Sequence, residues 1–115
     1  MTLQTIPGWD VAGVVAEVGS AVTKFKVGDE VYGGMKSTQF GSLAEYALSE
    51  EKKLAMKPAN LSFVEAAAVP VAVLTPLAVF DKFGLKEGDK VLITSGAGGV
   101  GVHAIQVSTH ACGLK

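Results

Sequence analysis

The residues with the clearest chemical use are three glycines in the last fifth of the 115-residue sequence, Gly96, Gly98 and Gly101. They follow an apolar run and precede residues with helical periodicity, so the spacing predicts a turn between a β-strand and an α-helix. Unbonded N–H groups and the dipole at the start of such a helix attract anions. The pattern predicts a diphosphate-binding turn, and a tight turn that binds no ligand is the alternative.

The sequence around these glycines also limits what they bind. No Gly-Lys-Ser/Thr sequence is present, which excludes the Walker-type triphosphate loop. A charged residue about 20 positions beyond the glycines would contact the ribose and distinguish NAD from NADP. That position falls after Lys115, so the residues alone do not indicate which cofactor is preferred.

The elements that must position the turn are of mixed α/β type. In residues 1–60, glycines separate short valine-rich or alternating runs, and we expect strands at 11–18, 43–48 and 53–56 with a tight turn at Gly28-Asp29. After residue 60 the pattern becomes helical. Ser62 and Glu65 have the spacing of a capping box at the start of a helix.

A second helix is expected over residues 71–83, where Pro76 is tolerable only near the first turn and Gly84 ends the helix. An apolar strand is predicted at 90–94. From residue 98 to about 111 the period is helical, with a stripe of mostly small residues for packing on a sheet and with His103 and His110 on a solvated face. The sequence thus places the glycine turn between a strand and a helix.

Composition excludes several classes of partner. The chain is 49% hydrophobic, and its 10 basic and 11 acidic residues form no cationic run, so we expect a globular protein that does not bind nucleic acid. The longest apolar run, 66–80, contains Pro70 and Pro76 and is shorter than the ~20 residues of a membrane span. Cys112 is the single cysteine and forms no internal disulfide. No signal peptide is evident, which predicts a cytoplasmic protein and leaves an organellar location open.

Several segments together resemble one enzyme superfamily. They are residues 6–15 (IPGWDVAGVV), 26–32 (KVGDEVY), and 65–70 (EAAAVP) through Leu74-Thr75 to 95–101 (SGAGGVG). Their order and separations resemble the medium-chain dehydrogenase/reductase superfamily, over nearly the whole chain. Within it the chain is similar to the zinc-independent quinone oxidoreductase and enone (alkenal) reductase branch.

The resemblance implies a partial GroES-like β-barrel over residues 1–73 and, over 74–115, the first βα unit of a Rossmann domain. It also implies NADPH as cofactor and hydride transfer to a small-molecule quinone or enone. By motif, Gly98, Gly99, Val100 and Gly101 would face the diphosphate and Thr75 would approach the nicotinamide. Without the resemblance, a helix-internal hydrogen bond is the simpler interpretation of the Thr75 hydroxyl. No catalytic residue is assigned.

Zinc-dependent relatives carry a His-Glu pair where this chain has Trp9-Asp10, and they carry a four-cysteine lobe that this chain lacks. One cysteine and two histidines on a single predicted helix supply no ligand set for zinc. Another departure is Pro76-Leu77 after the threonine, where the family usually has alanine and an aromatic residue.

Relatives of this type are about 300 residues or longer, the size of two domains. We therefore expect a fragment, or a truncated chain completed by a partner, with little or no reductase activity alone. The alternatives are a non-catalytic β-rich interaction module and an inactive fragment. Whether the chain forms a homo-oligomer stays open.

Overall fold

A computed structural model describes residues 6–35, 41–111 and 113. The chain forms two compact units, which divide between Pro70 and Val71. The domain limits expected from sequence, 1–73 and 74–115, stay a prediction.

The first unit contains a three-stranded antiparallel sheet of β1 (Asp10–Val14), β2 (Glu30–Gly34) and β3 (Leu54–Met56), in that spatial order. In its register Tyr32 of β2 lies between Ala12 of β1 and Ala55 of β3. The strands predicted near the start of the chain and at 53–56 are confirmed. β1 ends earlier than expected.

The turn that leads into β2 is held by an aspartate. The Asp29 carboxylate accepts the Lys26 backbone N–H at 2.9 Å, and Gly28 between them has φ +92°. The Lys26 backbone N–H, helped by the Lys26 side chain, lowers the pKa of Asp29. The same arrangement recurs in the second unit, where the Asp89 carboxylate accepts the Lys86 N–H at 2.8 Å and Gly88 has φ +88°.

Residues 43–48 do not form the predicted strand: residues 42–46 form bends and residues 47–48 are irregular. The alternating side chains fit a strand, but a strand also needs a partner with matching register. Here the N–H groups of residues 41–43 donate to carbonyls of residues 6–8 in an irregular pattern. Residues 44–49 then line an open groove of about 760 Å³ beside β1 without pairing to it.

The helix α1 (Phe63–Ala67) begins at the predicted capping box. The Ser62 hydroxyl accepts the Glu65 N–H at 3.3 Å, and the Ser62 N–H donates to the Glu65 carboxylate at 2.8 Å. The Ser62 hydroxyl first, and then its N–H, lower the pKa of Glu65. Ala66 is completely buried, because α1 packs against β1 and β2.

The second unit contains α2 (Pro70–Lys82), apart from its first residue, and α3 (Gly99–Gln106), and one π-helical turn (Val107–Ala111) extends α3. The helix predicted from residue 98 onward is therefore confirmed. Gly101, Ala104 and Ser108 of its predicted packing stripe are buried.

Pro76 lies inside α2, beyond the first turn, where the sequence led us to consider it unfavourable. Proline at this position removes one helical hydrogen bond. Pro76 is buried, and the burial of its apolar ring opposes this cost. Pro70 occupies the start of α2, where its missing N–H has no helical acceptor in any case.

The predicted stop at Gly84 is confirmed. Gly84 has φ +60° and donates its N–H to Asp81, while Leu85 donates to Phe80, which is the hydrogen-bond pattern of a Schellman motif. Leu85 also packs on a small core formed by Phe80 and Ala104, together with Val91, Ile93 and Val107. α3 thus contacts α2 through the apolar side chains of Ala104 and Phe80.

Residues 90–94 are not a β-strand, contrary to expectation. Val91 and Ile93 are half-buried and Leu92 is 91% exposed, so the side chains alternate as predicted. Strand pairing requires a neighbour, and no described residue forms a ladder with this segment.

Residues Phe63–Lys82 form a 20-residue helical stretch that is long and apolar enough, by length and composition alone, to cross a membrane. A break at residues 68–69 divides it into α1 and α2, and α2 has only 13 residues. Neither helix reaches the ~20 residues that a span requires.

Candidate functional site

The glycine turn begins with an unusual backbone conformation at Ser95. Its φ of +55° is the only positive value at a non-glycine residue in the described part of the chain. The Ser95 carbonyl oxygen accepts the N–H of Gly98 at 2.9 Å. Gly98 is the N-cap of α3, and its own carbonyl accepts the first helical bond from Val102 at 2.9 Å.

Gly101 is the glycine that the packing requires. A Cβ at this position would lie 2.9 Å from the Gly96 Cα and closer still to the Ser95 carbonyl oxygen. Both neighbours are backbone atoms that cannot rotate away. This is the close helix packing for which the third glycine of the motif was predicted. Gly99 differs, because a Cβ there would meet no atom within 4 Å.

The turn leaves three backbone donors at the start of α3. The N–H groups of Gly99, Val100 and Gly101 belong to the first helical turn, which has no preceding carbonyl in the helix to accept them. Gly98 was predicted to present its backbone too, but its N–H already donates to Ser95. The site therefore offers three amides, open space at Gly99 and the positive end of a helix dipole, which suit an anion.

Thr75 lies on the exposed surface of α2, within the same compact unit as the glycine turn. Its hydroxyl donates to the carbonyl of Val71 at 2.7 Å. This is the helix-internal bond that the residues alone suggested. The donated proton is engaged, while the Thr75 oxygen still has acceptor capacity.

The two histidines differ in environment. His103 is half-buried, with Nδ1 2.8 Å from the Gly99 carbonyl oxygen, and His110 is exposed. Each ring contacts the carbonyl one helical turn before it. Within residues 6–35, 41–111 and 113, no three His, Cys, Asp or Glu side chains are grouped to hold a metal ion.

With this geometry established, comparison with known proteins decides the family. The alcohol dehydrogenase GroES-like domain matches residues 1–59, about half of the chain. The chain belongs to that family. It is a member of the medium-chain dehydrogenase/reductase superfamily, as the sequence motifs predicted, and its mixed α/β fold agrees.

Its relatives are quinone and alkenal oxidoreductases. The chain is 51% identical to 2-methylene-furan-3-one reductase of Solanum lycopersicum and 47% identical to the chloroplastic NADPH-dependent alkenal/one oxidoreductase of Arabidopsis thaliana. Each match covers 98% of this chain and 31% of the relative. The quinone oxidoreductase of Coxiella burnetii superposes with a TM-score of 0.85 at 38% identity, over 96% of this chain and 35% of that structure. The chain thus spans about a third of the length of these proteins.

Sequence reasoning located the turn but missed the backbone conformation of Ser95. Serine at that position is an ordinary residue type, and nothing in its spacing indicated a left-handed backbone. The missing signal is geometric: the Ser95 carbonyl lies against the backbone at Gly101, a contact that the residue types do not specify.

Proposed function

We propose that this chain carries the diphosphate-binding start of an NADPH-dependent quinone or enone reductase. The observation that carries the proposal is the set of three first-turn amides at Gly99, Val100 and Gly101. Family membership supports it, as does the Arabidopsis relative, whose name specifies NADPH.

In this proposal each segment has a separate part in holding the cofactor. The three amides bind the diphosphate, and the open space at Gly99 lets a phosphate oxygen approach the backbone. Thr75 approaches the nicotinamide with its hydroxyl oxygen as acceptor. When bound, NADPH supplies a hydride for the β-carbon of an activated alkene or for a quinone. Zinc has no part in this function, which follows the zinc-independent branch that the chain resembles.

The relatives are about three times longer than the chain, so activity, substrate and compartment belong to the proposal. We propose that this region alone has little or no reductase activity. The Arabidopsis relative is named chloroplastic, which supports the organellar alternative over the cytoplasmic expectation.

A proline substitution tests the anion site directly. Gly99 is the first residue of α3, and Gly98 before it has ψ 163°, the extended conformation that proline favours in its predecessor. Gly99→Pro should therefore keep the helix while deleting one N–H donor. Gly99→Ala is the matched control, because it adds a Cβ into the same open space and keeps the N–H.

The measurement is titration with inorganic pyrophosphate and with NADPH, followed by amide NMR of residues 99–101. A hydrogen bond to a charged group contributes about 1.5–3 kcal/mol, so Gly99→Pro should weaken binding about tenfold or more relative to Gly99→Ala. Equal affinities for the two variants, or no response of the wild-type amides to either ligand, would refute the site. Thr75→Val should weaken NADPH binding and leave pyrophosphate binding unchanged.

A non-catalytic interaction module is favoured by a different observation. β1 is an edge strand, and the groove beside it is lined by exposed apolar side chains at Tyr46 and Leu48. Exposed edges and apolar surface promote association. Light scattering during size-exclusion chromatography distinguishes the two functions, since a monomer that binds NADPH would exclude the module.

A further inference from the structure

We propose that Ser95 is a positioning residue for the amides of Gly99, Val100 and Gly101, and that its left-handed backbone is the feature that orients them. The inference rests on the proposed function and adds to it a residue that the glycine motif does not contain.

The first observation is the conformation itself. A φ of +55° disfavours most side chains, because Cβ approaches the neighbouring carbonyl oxygen. The other residues with positive φ in the described part of the chain are all glycines. Strain of this kind persists only where surrounding contacts enforce it, and it concentrates at functional sites.

The second observation is what the Ser95 carbonyl contacts. It accepts the N–H of Gly98, so that donor is engaged within the loop. The same oxygen lies where a Cβ of Gly101 would be. The Ser95 carbonyl therefore holds the N-cap of α3 by a hydrogen bond and also limits how closely the helix approaches the loop at Gly101.

The consequence is a division of the four predicted backbone donors. Ser95 engages the first, at Gly98, and leaves the next three as one set on the first turn of α3. With residue 95 in an ordinary extended or helical conformation, the carbonyl would point elsewhere. Gly98 and Gly101 would then lose their shared contact, and the direction of the three amides would no longer be fixed.

The test compares side chains that differ in tolerance of positive φ. Ser95→Gly and Ser95→Asn accept the left-handed region, whereas the β-branched Ser95→Val does not. Two quantities are measured on the 115-residue chain: hydrogen exchange of the Gly98 amide without ligand, and the affinity for inorganic pyrophosphate.

We expect Ser95→Gly and Ser95→Asn to keep both the Gly98 protection and the wild-type affinity. In Ser95→Val the Gly98 amide should exchange about five- to thirtyfold faster, which is the factor that corresponds to the cost of a left-handed backbone conformation. This variant should also bind pyrophosphate more weakly. Retention of both properties in Ser95→Val would overturn the inference. Loss of protection with unchanged affinity would also overturn it, because residue 95 would then serve the fold alone.

Failure of the proposed function is recognised separately. In that case wild type, Ser95→Gly and Ser95→Asn would all fail to bind pyrophosphate, and the assignment of the turn as a diphosphate site would be wrong. The exchange measurement would still decide whether residue 95 sets the conformation of the turn.

Discussion

Gly101→Ala gives the most direct test of how α3 is seated. The added methyl group would meet the Ser95 carbonyl oxygen and the Gly96 Cα, and neither can move without shifting the loop or the helix. Overpacking of this kind costs about 1–3 kcal/mol, and the upper end applies because both neighbours are backbone. Alanine recovers about 1 kcal/mol through its higher helix propensity. We therefore expect a net destabilisation of about 2 kcal/mol.

The control is Gly99→Ala, two residues earlier in the same helix. Its Cβ meets no atom within 4 Å, so only the propensity gain remains, and at the first residue of the helix this stabilises by up to about 1 kcal/mol. The two alanine variants should differ by roughly 2–3 kcal/mol, in opposite directions from wild type.

Native-state hydrogen exchange of the α3 amides measures this difference where it arises, for example at Val102, which donates to Gly98. The single tryptophan, Trp9, belongs to the other compact unit, so its fluorescence gives an independent reading of that unit. Equal exchange rates in the two variants would show that Gly101 does not lie against Ser95, and the geometry of the turn would have to be abandoned.

Three further tests, one of them with a matched control substitution, concern contacts in the first unit. Ser62→Ala removes the cap of α1 and should destabilise the unit by about 1 kcal/mol in urea unfolding; a change below a few tenths would contradict the capping box. Lys57→Met should lower the free energy of unfolding by about 1–3 kcal/mol, because the side chain is only 5% exposed and its polar contacts would be lost. The Lys57 ammonium lies 3.1 Å from the Glu30 carboxylate and donates to the carbonyls of Pro58 and Leu61. Lys26→Met is its control, since that side chain is 85% exposed and a change within ~0.5 kcal/mol is expected. Lys52 first, and then Lys53, lower the pKa of Glu50 from 4.5 to about 2, so this ion pairing stabilises the fold above pH 4.5 and is lost as the pH falls towards 2. Lys52→Ala should move the Glu50 carboxyl titration, followed by carbon-13 NMR, to higher pH, and an unchanged midpoint would rule out the pairing.

Local signals in the sequence predicted several elements well, because those elements depend on neighbouring residues. The capping box at Ser62 and the stop at Gly84 each form within a few residues, and so does the glycine turn before α3. For the capping box and the stop, the residue types alone therefore specify the hydrogen bonds.

The failures concern features that depend on distant residues. The segments 43–48 and 90–94 have side-chain patterns of strands, but pairing requires a neighbour that the pattern does not describe. The sequence does not indicate the burial of Lys57, because a lysine at the end of a strand suggests a solvated side chain. Its burial depends on contacts with Glu30 and with the 58–61 loop. The Ser95 carbonyl likewise lies against Gly101, six residues along the chain, which the residue types do not describe.

The two lysine–aspartate turns have the same local structure in different parts of the chain. Segments 26–29 and 86–89 share the spelling Lys-x-Gly-Asp and fold with the same internal bonds, although they belong to different units. The conformation of this tetrapeptide is therefore set by its own residues. The two copies differ only at the second position, Val27 or Glu87, which is exposed in both. Exchanging the two tetrapeptides should therefore leave the stability of both units unchanged. Either turn is a candidate site at which a foreign peptide could be inserted.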